Sequence, residues 1–352
     1  DRTLPVRDRR DDVPVYRVFV NPGSWWSKVT AAVRMTRLFF RAGRRASVVH
    51  FHGFSQKSIL LVALCLLARK KIAIKLTSAG NDDPVSMRRR GRLPFWAFSR
   101  ANLFFAVSPA FLPLCEEAGI GLDRVRLIPN GVDIDRFRPA RPRERDEIRA
   151  ELGWPVESVV TLFVGFFSKE KRPDLLFEAW ARGAAGRTPA PLLVFVGATR
   201  SSYHEIDPRL EPAIRVRAAA LGVADRIRFV EATDTIERYY RAADIFVMPS
   251  VREGLPNALL EAMASGLACV ASRIDGVTDS VLDDGGNGLL VAADDGVALT
   301  EAIDHLAADR PLAERLGREA RATIAARYDL DQTASAYLHA YGALLGNAPC
   351  AA

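Results

Sequence analysis

ADIFVMPSVREGLPNALLEAMASGLACVAS, residues 243–272, holds a complete strand–loop–helix–strand unit. DIFVMPS (244–250) and ACVAS (268–272) are short runs of apolar, largely β-branched or aromatic residues, which is strand composition. Between them Pro256 suits the first turn of a helix, Ala262 to Ala264 continue it, and Gly266 stops it. Ligands of open parallel sheets bind beyond the carboxyl ends of the strands, so the loop after Ser250 is the place to inspect. Backbone N–H groups around Gly254, Leu255 and Asn257 are those of a helix N-terminus; they have no partner inside the helix and suit phosphate or sugar hydroxyls. Two glutamates flank them. Glu253 lies in the loop and Glu261 more than one turn inside the helix, so they cannot play the same part. Taken alone, Glu261 reads equally well as a helix former paired with a surface arginine.

The same alternation of strand and helix runs outward in both directions, the pattern of parallel sheets with helical crossovers. In the first half the expected strands are YRVFV (16–20), SVVHFH (47–52), KIAIKL (71–76), NLFFAVS (102–108) and VRLIP (125–129). In the second half they are VVTLFVG (159–165), LLVFVG (192–197), IRFV (227–230), DIFVMPS, ACVAS and GLLV (288–291). PNGVDIDRFRPARPRERDE (129–147), dense in Pro, Gly, Asp and Arg, reads as a surface connection. The spacing therefore predicts two α/β domains, 1–149 and 150–325, followed by a C-terminal helix at 326–346 that could pack on either domain and is expected on the first.

A length of 352 residues exceeds the ~250–300 at which one hydrophobic core usually divides. Cys65, Cys115, Cys269 and Cys350 lie far apart, with no CxxC pair and no histidine at metal-ligand spacing, which fits a reduced, cytoplasmic setting. The apolar run ILLVALCLLA (59–68) is too short for a membrane span and is expected to be a buried helix. The net charge of +7 hides a division: residues 1–150 carry 29 Lys+Arg against 14 Asp+Glu, and the remainder 20 against 28. Such a basic half fits an anionic membrane surface, a phosphorylated acceptor or a solvated arginine-rich face. Nucleic acid is disfavoured by the lack of zinc-finger spacing, an RNP-like aromatic signature or a heptad-bearing basic helix. A dinucleotide-dependent oxidoreductase is excluded, because no strand is followed by GxGxxG with an acidic residue ~20 positions on.

A second strand end carries chemistry. VVTLFVGFFSKEKRPDLLFEAW (159–180) places Lys171 after a strand and before a helix, with Lys169 and Arg172 beside it. A lysine there can neutralise a diphosphate without a metal, although lysine is also common in solvated loops.

The ordered set IPNGVDIDRF (128–137), FVGFFSKEKRPDLLFEAW (163–180), residues 243–272 and GVTDSVLDDGGNGLLV (276–291) resembles glycosyltransferase family 4, retaining sugar transferases of the GT-B fold. The resemblance covers nearly all of the chain and is most specific after about residue 100. KLTSAGNDDP (75–84) and FAVSPA (105–110) fit members that build bacterial surface polysaccharides.

The resemblance implies two Rossmann-like domains facing each other across a cleft. A nucleotide-sugar donor would be held mainly by the second domain, and a glycan or lipid-linked oligosaccharide acceptor mainly by the first, with the enzyme peripheral at the inner face of the membrane. Glu253 would lie beside the transferred sugar, Glu261 would hold the ribose, and Lys171 would bind the diphosphate. Gly165, Phe166, Lys169, Arg172 and Gly254, Leu255, Pro256 and Asn257 would complete the donor site. His52, Gly53, Asn81 and Asp82 are the acceptor-side candidates, and His50 is expected to pack. No metal or other cofactor is implied, and NDD (81–83) is not the metal-binding DxD of the other glycosyltransferase fold.

The departures define expectations of their own. Phe166 stands where family members commonly carry an arginine, and LTSAGNDD lacks their histidine. The strand, glycine-rich loop and long helix that open the family pattern are not recognisable before YRVFV. With Asp1 in first place, the chain is expected to lack several tens of N-terminal residues and to be inactive without them. A non-catalytic partner subunit that binds nucleotide sugar without turnover is the alternative reading.

Overall fold

The computed structural model describes residues 5–10, 12–21, 23–184, 186–199 and 206–346. Its chain divides into two compact units. The first contains the chain up to Ala106, Leu112–Arg126 and the chain from His339; the second contains Val107–Phe111 and Leu127–Leu338. The division at 126/127 falls upstream of the expected 149/150.

Arg149 gives the physical reason. The last residues of the expected connection, 144–147, open a helix, Glu144–Leu152, whose Arg149 side chain is 0% exposed. The guanidinium donates to the carbonyls of Ala242 (2.8 Å), Val156 (2.7 Å) and Ser158 (2.9 Å), and to Asp244 Oδ2 at 2.6 Å. Asp244 also accepts the Val160 N–H at 2.7 Å and an ion pair from Arg145 at 2.6 Å. The helix is thereby stapled to the starts of two strands of the second sheet.

In the first unit an antiparallel pair, β1 (Arg7–Arg10) and β2 (Val13–Tyr16), forms a sheet of its own. The strand expected at 16–20 is corrected by this pair: strand geometry ends at Tyr16. The apolar character of YRVFV does not distinguish a strand from an irregular segment. The helix Trp25–Ala42 follows, with Ser24 accepting the Ser27 N–H as its cap. The main sheet orders β3 (Val48–His52), β4 (Lys71–Leu76), β5 (Leu103–Ala106) and β6 (Val125–Leu127) side by side. The run at 59–68 lies in the helix Gln56–Leu67; Val62 and Cys65 are buried, whereas Leu66 and Leu67 are exposed, so only one of its faces is covered.

The second sheet has six strands: β7 (Val160–Val164), β8 (Leu192–Val196), β9 (Ile227–Val230), β10 (Ile245–Met248), β11 (Ala268–Ser272) and β12 (Leu289–Val291). Their order is β12-β11-β10-β7-β8-β9, with parallel pairing throughout. The chain steps from β7 out to β9, then returns to the other side of β7 with β10. Adjacent β7 and β10 therefore make a topological switch point, the position at which open sheets leave a crevice. Phe163, Phe167, Phe195 and Phe229 form an aromatic cluster beneath it, with ring centroids 5.3–6.1 Å apart. Gly131 of the PNGVD motif allows another close approach: a Cβ there would stand 2.7 Å from Leu330 Cα, where the helix Leu330–Leu344 begins.

Candidate functional site

Lys171 and Glu253 are separated by 82 positions in sequence, yet their side chains form an ion pair with Nζ 2.5 Å from Oε1. The topology brings this about, since Lys171 follows β7 and Glu253 follows β10 at the switch point. Two further contacts lace the same loops together: the Val251 N–H donates to the Glu170 carbonyl at 2.9 Å, and Arg252 pairs with the Glu170 carboxylate. The Glu253 side chain is only 9% exposed while that of Lys171 is 29% exposed, so the carboxylate is the more fixed partner. Gly254, Leu255 and Pro256 are buried beside it.

The helix Asn257–Ala264 starts immediately after Pro256, which occupies the capping position without a side-chain hydrogen bond. Asn130, absent from the sequence-derived site, donates to the Leu255 carbonyl (3.0 Å) and to Asn257 Oδ1 (2.8 Å). It belongs to the quoted PNGVD motif, but nothing local to that motif reveals a partner more than a hundred positions away. At the end of β7 the Gly165 N–H donates to the Val196 carbonyl. Gly197, also missed, has φ +145°, and a Cβ on it would lie 2.1 Å from the Gly165 carbonyl oxygen. Any side chain at Gly197 would push apart the ends of β7 and β8.

Glu261 is held from below. The buried Tyr240 hydroxyl donates to Glu261 Oε2 at 2.9 Å and also lies 3.2 Å from the Ala258 carbonyl. Burial raises the Glu261 carboxyl above its ordinary value, and the Tyr240 hydrogen bond and then the Arg136 charge oppose that rise. Burial, followed by the neighbouring Glu261, raises the Tyr240 phenol well above its own. Glu261 is thus tied to an interior tyrosine, whereas the alternative reading paired it with a surface arginine; Arg136 instead pairs with Glu237 at 2.9 Å.

The remaining donor-side candidates diverge. Phe166 is exposed at the β7 end. Lys169 is also exposed and borders a groove with Glu170 and Asp207. Arg172, with φ +50°, ion-pairs with Asp294 and with Asp174 at 3.4 Å, so carboxylates already engage its charge.

On the first unit, His52 is exposed at the end of β3, and the Gly53 N–H donates to the Lys75 carbonyl. His50 stacks on His52 at 4.4 Å and its Nδ1 lies 2.5 Å from the Tyr341 hydroxyl, so it packs. Desolvation, then the charges of His52 and Lys75, push His50 down to about 4. Asp82 is turned inward. Its carboxylate accepts Thr77 Oγ1 at 2.7 Å and the Ser78 N–H at 2.6 Å, closing the loop after β4. Asp83 caps the helix Pro84–Arg89 through the Ser86 N–H, and the Asn81 amide lies near Ser78 Oγ. The NDD carboxylates thus serve their own loop. Among the described residues no group of three or more His, Cys, Asp or Glu could hold a metal ion.

Residues 144–323 match the family described as Glycosyl transferases group 1, and residues 2–136 match Glycosyltransferase Family 4. The D-inositol 3-phosphate glycosyltransferase of Nocardia farcinica is 33% identical over 237 residues, covering 66% of this chain and 50% of its own. That of Geodermatophilus obscurus is 36% identical over 230 residues, covering 64% and 49%. The chain spans about half the length of these curated relatives. Sucrose-phosphate synthase from Thermosynechococcus elongatus superposes with a TM-score of 0.80 at 22% identity, over 98% of this chain and 87% of that one. Anabaena HepE in complex with UDP and glucose gives 0.76 at 18% identity, over 92% and 84%. These likenesses show the fold expected from the sequence, the GT-B type with two parallel-sheet α/β domains.

Proposed function

This chain belongs to the glycosyl transferases of group 1, with a family 4 first half, and from that premise we propose that it transfers a hexose-type sugar, with retention, from a nucleotide-sugar donor to a glycan or lipid-linked oligosaccharide. The Lys171–Glu253 pair carries the reading: a cation and a carboxylate meet at the switch point, next to the open N-terminus of the helix Asn257–Ala264. The binding of UDP and glucose by a structural neighbour is consistent with it.

In this reading the incoming diphosphate draws the Lys171 ammonium away from Glu253, and the released carboxylate hydrogen-bonds the sugar hydroxyls. As the anomeric bond lengthens, Lys171 stabilises the charge gathering on the leaving diphosphate, and Glu253 supports the positive charge on the ring, an electrostatic contribution of the dominant kind. The acceptor hydroxyl attacks from the same face as the leaving group and gives its proton to a donor phosphate oxygen. The two glutamates are therefore not a glycosidase acid–base pair. Glu261 holds the ribose, and the helix N-terminus holds sugar hydroxyls and phosphate.

Release of nucleotide from UDP-, GDP- and ADP-sugars, with D-inositol 3-phosphate and lipid-linked glycans as acceptors, tests the proposal. Acceptor-dependent release with retained anomeric configuration supports it. Saturable binding of every sugar nucleotide without turnover would replace it with the partner-subunit reading. Because Lys171 supplies the diphosphate charge, we further propose metal-free catalysis in the cytoplasm at a membrane surface; a chelator then leaves the rate unchanged, and a strict requirement for added magnesium would overturn that part.

The Tyr240–Glu261 bond yields a separate prediction. Tyr240→Phe removes a hydrogen bond that favours the ionised carboxylate, so Glu261 takes up its proton at higher pH. Donor affinity is expected to fall about tenfold, the scale of one hydrogen bond to a charged group. The loss grows as pH is lowered, while kcat at saturating donor changes little. Donor titrations followed by thermal shift across mildly acidic to basic pH check this, and a pH-independent effect would argue against it.

A further inference from the structure

Residues 13–81 contain 12 Lys+Arg and no Asp or Glu. Inside that stretch the helix Trp25–Ala42 buries Ala31 and Phe39 and leaves its opposite side open. Trp26, Val29, Val33 and Phe40 recur there at steps that keep them on one stripe, with Trp25 at its margin; Trp25 is 64% and Trp26 71% exposed. Arg34, Arg37 and Arg41 run as a second exposed stripe alongside. At the helix end the Lys70 ammonium donates to the Arg44 carbonyl at 2.8 Å. That bond brings in the end of the helix Gln56–Leu67, whose Leu67 is 77% exposed. Apolar and cationic stripes thus lie side by side on a helix that itself carries no carboxylate.

We propose that this face of the first unit docks onto an anionic phospholipid surface, with the helix Trp25–Ala42 lying in the plane of the headgroups. Two features select lipid over an acidic protein. The tryptophans at the start of the helix have the amphipathic rings that settle at headgroup depth, and Arg34, Arg37 and Arg41 line its second half beside the apolar stripe. No helix among the described residues is long and apolar enough to cross a membrane. The inference deepens the acceptor side of the proposed function and rests on it for its purpose: a surface-bound enzyme meets a lipid-linked acceptor in two dimensions.

The test is co-sedimentation of the full chain with phosphatidylcholine vesicles, with and without phosphatidylglycerol, at low and high salt. Wild type is expected to bind only the anionic vesicles and to be released by salt. Trp26→Ser with Val33→Ser, and separately Arg34→Glu with Arg37→Glu, change exposed residues and are each expected to weaken binding about tenfold or more. Failure of the wild type to bind, or unchanged binding by both variants, overturns the proposal. So does a wild-type dimer in lipid-free solution that the serine variant converts to monomer, since the stripe would then be covered by a second copy. Nucleotide release is measured on the same samples. Vesicle binding without turnover of any sugar nucleotide sinks the catalytic reading alone, and turnover of a soluble acceptor without vesicle binding sinks the docking surface alone.

Discussion

Replacing Glu253 with glutamine is expected to lower kcat for sugar transfer about 10²- to 10³-fold, the range seen when one group aimed at transition-state charge is removed. Glutamine keeps the size and hydrogen-bonding reach of the side chain and loses its charge, so the loss reports on electrostatics more than packing. Lys171→Ala is expected to fall as far in kcat and to raise the donor KM, because the diphosphate is bound before it leaves. In the proposed mechanism the two residues act on opposite ends of one breaking bond, and in the structure they pair with each other. The double variant is therefore expected to lose much less than the product of the single losses. Initial rates of nucleotide release for all three variants decide the matter. Equal kcat in wild type and Glu253→Gln would remove Glu253 from the chemistry, and a fully multiplicative double variant would make the ion pair incidental.

Arg149→Ala is expected to cost about 3–5 kcal/mol, the scale measured when one partner of a buried ion pair is removed. The guanidinium is fully buried, and four acceptors depend on it: Asp244 and the carbonyls of Ala242, Val156 and Ser158. Asp244 keeps Arg145 and the Val160 N–H, so most of the cost comes from three carbonyls left without a donor and from the cavity. For a unit of this size that corresponds to a fall in Tm of roughly 10 °C. Arg149→Lys retains the charge without the planar fork and is expected to recover less than half of the loss. Thermal denaturation followed by circular dichroism checks both, and a shift of only a degree or two for Arg149→Ala would mean that water replaces the guanidinium.

These two predictions depend on sequence information of different quality. Glu253 was legible because strand, loop and helix follow one another within a single stretch, where composition, the proline and the stopping glycine all act locally. KIAIKL, IRFV and ACVAS coincide residue for residue with β4, β9 and β11 for the same reason: short apolar runs between turn residues have few other places to go. Arg149 lies just past the segment read as a connection, and its burial was not legible because its helix is short and charged. What makes it interior is a set of carbonyls and Asp244, most of them contributed by residues 93 and 95 positions away or by the following turn. YRVFV failed in the opposite direction, since β propensity is largely a statement about what the neighbours will cover.

Local order along the chain determined the alternation of strands and helices, the family pattern, and the assignment of Glu253 to a loop and Glu261 to a helix, because hydrophobic period and turn chemistry act over a few residues. Tertiary structure alone decided that Lys171 meets Glu253, that Tyr240 supports Glu261 and Asn130 holds Asn257, and that Asp82 turns into its own loop. It also decided which side of the helix Trp25–Ala42 remains uncovered. Those outcomes follow from strand order and from competition for buried partners. Both are set by contacts between segments that, apart from the loop holding Asp82, lie tens of residues or more apart, and no spacing rule in the sequence encodes them.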